Sequence, residues 1–318
     1  MDFISEKYAA IFPRNHKGMW IEVLKNIERI TEIRIRADKP ILIYLNRKEI
    51  SIDEEGKFIY VAEKGKKFSY EEIQQLMDFW CQDSRYAFQN EIKRGFLTIE
   101  GGHRIGICGE VICDEMENVK YIKYISAVNI RVAHEVKGAA DKIMPYIYTQ
   151  NQLKNTLIVS PPGAGKTTLL RDIIRQLSSG YGSYSGRNVG LVDERGEIAA
   201  CFQGIPQLDV GGRTDVLDNC KKVLGMRMLL RTMSPSVIAV DELGNIEEIE
   251  LIRQMNGNGC AVIATMHGNS IEELRQKKIL ESIWRENIFE NIIFLFKIQN
   301  SFCMELYCNG EKKICCSY

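Results

Sequence analysis

One stretch of this chain constrains its fold more than any other: TLIVSPPGAGKTTLLRDIIRQLSS, residues 156–179. It begins as a short apolar strand. It ends as a helix that sets Leu169, Leu170, Ile173, Ile174 and Leu177 on one face. Between them lies a turn built around Gly163 and Gly165, residues that open backbone conformations closed to other side chains. A buried strand that runs through a glycine turn into an amphipathic helix predicts an α/β arrangement.

The same turn has a chemical reading. Glycines let backbone N–H groups close around a phosphate, and the helix N-terminus adds positive potential. Lys166 would then reach the β- and γ-phosphates of ATP, and the Thr167 hydroxyl would ligate Mg²⁺. The candidate nucleotide-contacting residues are Ser160, Pro161, Pro162, Gly163, Ala164, Gly165, Lys166, Thr167 and Thr168. Ser160 stands where the usual pattern has its first glycine, at the entry of the turn, where a small residue suffices.

Further strands are read downstream. SVIAVDEL is apolar and ends in Asp241 and Glu242. Burying unpaired carboxylates is costly, so a buried strand with two acids at its end points to chemistry rather than stability. Asp241 is the candidate second contact to Mg²⁺, and Glu242 the group that orients or deprotonates an attacking water. CAVIATMHG ends at His267, which a parallel sheet would bring to the same edge as a γ-phosphate contact. NVGLVDERGEI ends in Asp193, Glu194 and Glu197, which are either a solvated strand end or a secondary acidic contact to Mg²⁺ or water. Arg227 and Arg231 lie four apart on the helix VLGMRMLLRTM; Arg213, Arg104 and Arg131 are the other arginines considered for transition-state charge.

Before Asn155 the rhythm differs. ITEIRIRADKPILIYL alternates as two strands around a turn, with Ile33, Ile35, Ile41 and Ile43 on one side. SYEEIQQLMDFWC has Ser69 and Glu72 as a capping box and Ile73, Leu76, Met77 and Trp80 at helical spacing. GFLTIEGGHRIGICGEVI reads as two strands around Gly101-Gly102, and ISAVNIRVAHEV as another. These make an α+β module over residues 1–135. Residues 136–154 are expected to form a helix and connection, and residues 155–318 the α/β domain. SSGYGSYSG, residues 178–186, reads as a flexible linker, and the C-terminus as a hairpin turning at Asn309-Gly310.

Composition narrows the function. Lys+Arg and Asp+Glu are both 42, so no global field draws the chain to nucleic acid or an anionic membrane. The start, MDFISEKYAAIF, is not a secretory signal, and runs such as NIIFLF are too short to span a bilayer. Cytosolic location with reduced thiols is the expectation. None of the ten cysteines is spaced CxxC; Cys303, Cys308, Cys315 and Cys316 are either a metal cluster or plain thiols.

SPPGAGKTTLLRD, VDERGEIA, DVGGRTDVLDNCKK, MLLRTMSPSVIAVDELG and ATMHG, in that order, resemble the stage III sporulation protein AA family of endospore-forming Firmicutes. That family is in turn similar to the secretion and pilus ATPases of type II and type IV systems. The resemblance extends to EIRIRADKPI and GGHRIGICGEV in the first module. It implies a C-terminal P-loop, RecA-like ATPase domain with a smaller α+β N-terminal domain. It matches Lys166 and Thr167 to Walker A, Asp241 and Glu242 to Walker B, Asp193 and Glu194 to an acidic box, His267 to a histidine box, and Arg227 and Arg231 to an arginine-bearing helix. It also implies a homohexameric ring whose N-terminal domain supplies arginines in trans, with Arg104 the first candidate. The implied role is a motor that energises a channel-like sporulation complex, docked on membrane-embedded partners at the mother-cell face. A slow nucleotide-gated scaffold and a nucleic-acid-stimulated ATPase are the competing functions; neutral charge and the lack of an aromatic-basic groove count against the latter.

Overall fold

In the computed structural model residues 10–317 are described, apart from residues 47, 150–151, 258, 269, 271–272, 274–282, 284–285 and 299–300. The chain forms two units, Met1–His134 and Glu135–Tyr318.

The first unit is a seven-stranded antiparallel sheet. Its strands are β1 (Ile30–Arg36), β2 (Leu42–Leu45), β3 (Lys48–Ile52), β4 (Phe58–Ile59), β5 (Phe96–Thr98), β6 (Arg104–Cys113) and β7 (Val119–Arg131), in spatial order β4-β3-β2-β1-β7-β6-β5. Ile33, Ile35, Ile41 and Ile43 are all buried, as their alternation requires. Helices α1 (Lys17–Leu24), α2 (Tyr70–Trp80) and α3 (Gln89–Lys93) complete the unit. The Ser69–Glu72 capping box is formed in both directions, and Ile73, Leu76, Met77 and Trp80 face the core. Phe12 stacks on Trp20 at 3.9 Å between ring centroids. Trp80 donates its indole N–H to the Ile11 carbonyl at 2.7 Å, so the sequence before α1 is tied to α2.

The second unit opens with the short helix α4 (Met144–Ile147) and a ribbon of β8 (Tyr148–Thr149) and β9 (Gln152–Leu153). Residues 136–154 therefore do more than connect: Ala140, Ile143, Met144, Ile147 and Tyr148 are part of this unit's core. Next come β10 (Thr156–Ser160), helix α5 (Lys166–Ser179), β11 (Gly180–Tyr181), β12 (Tyr184–Ser185), β13 (Val189–Asp193), β14 (Thr214–Asp218), α6 (Lys222–Thr232), β15 (Val237–Val240), α7 (Ile246–Gly257), β16 (Ala261–His267), β17 (Asn291–Ile298), β18 (Ser301–Cys308) and β19 (Glu311–Ser317). The eight-stranded sheet has the order β14-β13-β15-β16-β10-β17-β18-β19. It is parallel from β14 to β17 and antiparallel beyond. Its residues alternate between two apolar layers: Ile158 packs with Leu169, Ile173 and Leu177 of α5, while Leu157 and Val159 pack with residues of α6 and α7. β10 lies between two parallel neighbours, and all five of its residues are buried.

One expectation needs correction. Residues 178–186 are not a linker: β11 and β12 pair as a ribbon, and Tyr184 stacks on Tyr148 at 4.6 Å. Thr214–Asp218, to which the sequence reading assigned no element, is the edge strand β14. The C-terminal turn does fall at Asn309-Gly310, both with positive φ (48° and 84°), as a two-residue hairpin turn requires. The cysteine cluster involves the side chains of Cys315 and Cys316, which lie outside the described ones; among the described residues no group of three or more His, Cys, Asp or Glu is placed to hold a metal.

Candidate active site

Parallel pairing aligns the carboxyl ends of β10, β13, β15 and β16 on one edge of the sheet. Ser160 is opposite His267 in the β10–β16 register, and Val240, just before Asp241, is opposite Ala264. The histidine-bearing strand thus lies between the glycine-loop strand and the acid-bearing strand. That order brings three distant motifs together.

The loop is shaped for a phosphate. Ser160 is buried and donates its hydroxyl to the Pro161 carbonyl at 2.9 Å, which closes the entry turn. Gly163 and Gly165 have φ of 71° and 91°, values that L side chains rarely adopt, and no heavy atom lies within 4 Å of a Cβ placed on Gly163. Gly165 is the N-cap of α5 and no side chain caps that end, so the helix start presents N–H groups without a side-chain acceptor. Lys166, the first residue of α5, is only 7 % exposed. Thr167 and Thr168 follow in the first turn and are half-buried.

Glu242 is the centre of the charge cluster. Its Oε1 accepts from His267 Nε2 at 2.8 Å and lies 3.6 Å from Lys166 Nζ; its Oε2 is 2.9 Å from Arg195 Nη2. His267 Nε2 is 3.4 Å from Lys166 Nζ. Partial burial disfavours the charged carboxylate, but the His267 hydrogen bond and the Lys166 and Arg195 cations outweigh it and hold Glu242 below the usual carboxylate range. The Glu242 backbone has φ of 53°, the left-handed region. That conformation costs roughly 1–2 kcal/mol in a residue with a side chain. It is braced on both sides: the Glu242 N–H donates to Thr265 Oγ1 at 2.8 Å, and Lys222 Nζ donates to the Glu242 carbonyl.

Thr265 also donates its hydroxyl to Asp241 Oδ1, so one fully buried side chain positions both acids. Sequence reasoning missed it. The available signal was its place two residues before His267, on the same face of β16. Arg195 was missed too: its partner, Glu242, lies forty-seven residues further along the chain and only the fold brings the two together. Lys222, at the start of α6, is 3.1 Å from the buried Glu248 and 3.7 Å from Glu194.

Asp193 is not a solvated strand end. It is 1 % exposed and accepts from the backbone N–H groups of Glu197, Ile198 and Ala199 at 3.0, 2.9 and 2.9 Å. Burial nevertheless pushes its carboxyl above the usual range. Arg171 of α5 donates to the carbonyls of Ile198 and, at 2.7 Å, Glu197. These bonds fix the segment after β13 that carries Arg195.

Arg231, Arg227 and Arg213 lie elsewhere in the second unit. Arg231 is exposed on the last turn of α6, whereas the end of α6 that reaches Glu242 carries Lys222. Arg227 pairs with Glu247 at 3.3 Å, and Arg213 binds Ser178. Arg104 starts β6 in the first unit, across from Arg131, with its guanidinium 3.5 Å from the Phe96 ring centroid. Among the described residues no helix is long and apolar enough to cross a membrane.

Comparison with known proteins gives a consistent picture. The structure is similar to the Legionella pneumophila ATPase DotB (TM-score 0.58, 16 % identity, covering 90 % of this chain and 79 % of that one). It is also similar to the pilus retraction motor PilT with bound ADP (TM-score 0.60, 16 % identity, covering 89 % and 81 %). At such identity the likeness is one of fold, the RecA-like α/β architecture with its preceding smaller domain. In sequence the chain is 39 % identical over 289 residues to stage III sporulation protein AA of Bacillus subtilis (strain 168), covering 90 % of this chain and 89 % of that one. The family model for sporulation stage III, protein AA, matches residues 6–304, and the chain belongs to that family.

Proposed function

We propose that this protein is a P-loop ATPase that works as a motor for a secretion-like complex in sporulation. One observation carries the reading: Lys166, Glu242 and His267, from three separate motifs, converge within hydrogen-bonding or ion-pair distance beside a glycine loop at a helix N-terminus. Loop N–H groups and Lys166 would bind the β- and γ-phosphates. Thr167 and Asp241 are the residues that fit Mg²⁺, which supplies charge neutralisation on the phosphates when bound. Thr265 fits this assignment because it fixes the Asp241 carboxylate at the end of β15. Glu242 orients and deprotonates the attacking water, and His267 contacts the terminal phosphate.

Family membership supports the place in sporulation, and likeness of fold to DotB and PilT supports a motor. We extend this to a homohexameric ring docked on membrane-embedded partners of a channel complex, on the cytoplasmic, mother-cell side. Arg104 and Arg231 then serve as the arginines offered to a neighbouring copy; Arg231 is exposed on the last turn of α6, at the far end of that helix from Lys222. No nucleic acid is required. The ion pairs that hold Glu242 favour a second reading, a slow nucleotide-gated scaffold whose turnover is suppressed until assembly.

The test is nucleotide turnover and native mass together. Glu242→Gln should bind Mg-ATP as the native chain does and lose turnover by ~100-fold or more. An ATP analogue should shift the native mass to that of a hexamer. Absence of turnover in the native chain, even with its membrane partners, would eliminate the motor and leave the scaffold. Equal ATP affinity in Lys166→Ala would eliminate the nucleotide site.

A further inference from the structure

Among the described residues, Arg195 is the one cation on the Glu242 carboxylate to which the phosphate-loop reading gives no task. Its guanidinium takes the second carboxylate oxygen, Oε2, while His267 and Lys166 take the first. The carboxylate therefore bridges an arginine on one side and the loop lysine on the other. A small trigonal anion held between the loop lysine and an arginine mimics the terminal phosphate group of a nucleoside triphosphate.

The mounting of Arg195 suits a residue that changes partners. Its base is fixed by the three hydrogen bonds to Asp193 and the two from Arg171. Its side chain is 62 % exposed, so the guanidinium reaches back from solvent to a carboxylate that is only 23 % exposed. The backbone of Glu242 is held in its left-handed conformation by Thr265 and Lys222, independently of Arg195. Letting go of Arg195 need not disturb the acid's placement. When a triphosphate enters, Lys166 moves onto the phosphates, and the Arg195 guanidinium meets an anion of higher charge in place of a shared carboxylate.

We propose that Arg195 is a γ-phosphate ligand supplied within the same chain, parked on Glu242 until ATP arrives, and that it sets the preference for ATP over ADP. This rests on the ATPase reading above.

The experiment compares Kd for Mg-ATPγS and Mg-ADP by calorimetry in the native full-length chain, Arg195→Ala and Arg195→Lys, with melting temperatures measured in parallel. Arg195→Ala should weaken ATPγS binding tenfold or more and leave ADP binding within twofold. Arg195→Lys should recover part of the ATPγS loss. KM for ATP should rise more in Arg195→Ala than in Arg195→Lys. An unchanged ratio of ATPγS to ADP affinity in Arg195→Ala would overturn the proposal while leaving the nucleotide site intact. Equal losses for both nucleotides with a lowered melting temperature would assign Arg195 to stability instead. Failure of the native chain to bind either nucleotide would remove both this proposal and the reading beneath it.

Discussion

Replacing Asp193 separates a scaffold role from a metal role, and the structure sets the size of the effect. In Asp193→Ala the backbone N–H groups of Glu197, Ile198 and Ala199 all lose their acceptor. Each buried donor left unsatisfied costs about 1–3 kcal/mol, so the gross penalty is roughly 3–9 kcal/mol, reduced to about 3–5 kcal/mol if the segment relaxes and admits water. For a unit of the size of residues 135–318, that corresponds to a fall in melting temperature of roughly 6–20 °C. Asp193→Asn should cost less. Its carbonyl oxygen can keep the two bonds to Ile198 and Ala199, which share Oδ2, and only the Glu197 N–H then faces an amide NH₂. The expected cost is about 1–3 kcal/mol. Calorimetric melting reads the global effect. Hydrogen exchange read by mass spectrometry on a peptide spanning residues 194–201 reads the local one: exchange of the 197–199 amides should quicken at least tenfold in Asp193→Ala. If both variants melt within about 1 °C of the native chain and exchange normally, yet lose Mg²⁺-dependent nucleotide binding, the scaffold reasoning is wrong and Asp193 is a metal contact.

Thr265→Val keeps the volume but removes the hydroxyl shared by Asp241 and the Glu242 N–H; Mg²⁺-dependent turnover should fall tenfold or more, with about 1–3 kcal/mol of stability lost, as read by steady-state assay and melting. Lys222→Met strands the buried Glu248 carboxylate, although its bonds from the Gly244 and Asn245 N–H groups remain, and should lower stability by about 3 kcal/mol in chemical denaturation. His103 is buried in the first unit and burial, aided by His134, lowers its pKa to about 4. A folded pKa below the unfolded value means the unfolded chain binds the proton first, so stability is intact above about pH 6.5 and is lost as pH falls toward 4, by about 3 kcal/mol in all. Urea unfolding followed by Trp20 and Trp80 fluorescence, in a Trp284→Phe background, should show this slope, and His103→Gln should flatten it.

The elements that a sequence reveals well are those with a periodic or continuous apolar signal. α2, α5 and β1 carry their core residues at regular spacing, β10 is an unbroken apolar run buried on both faces, and each is found where that signal puts it. β14 was missed because all five of its residues are half-buried, so the edge strand has no in-and-out alternation to read. The β11–β12 ribbon was missed because Gly, Ser and Tyr composition signals a loop, while the pairing depends on Tyr148, some thirty-six residues earlier in the chain. The site divides the same way. The glycine loop, the Asp241-Glu242 pair and His267 are local motifs. Thr265 and Arg195 acquire their partners only from strand order: β16 must slot between β10 and β15 before Thr265 can reach both acids, and the segment after β13 must be folded back before Arg195 can reach Glu242. Asp193 shows the converse, a motif-like acid whose three bonds are all to its own following segment.

The central position of β10 has a consequence for synthesis. Its neighbours on either side are residues 263–267 of β16 and 291–294 of β17, both made long after the loop itself. At about 5–20 residues per second, the ribosome needs roughly 6 to 25 seconds after adding Lys166 before Phe294 exists. Through that interval the nascent chain carries the glycine loop without the sheet that supports it, and without His267 for much of the time. Newly emerging chains therefore hold the loop without the strands that shape it, and a chain truncated before β17 should bind ATP far more weakly than the finished one, as equilibrium binding to the two would show.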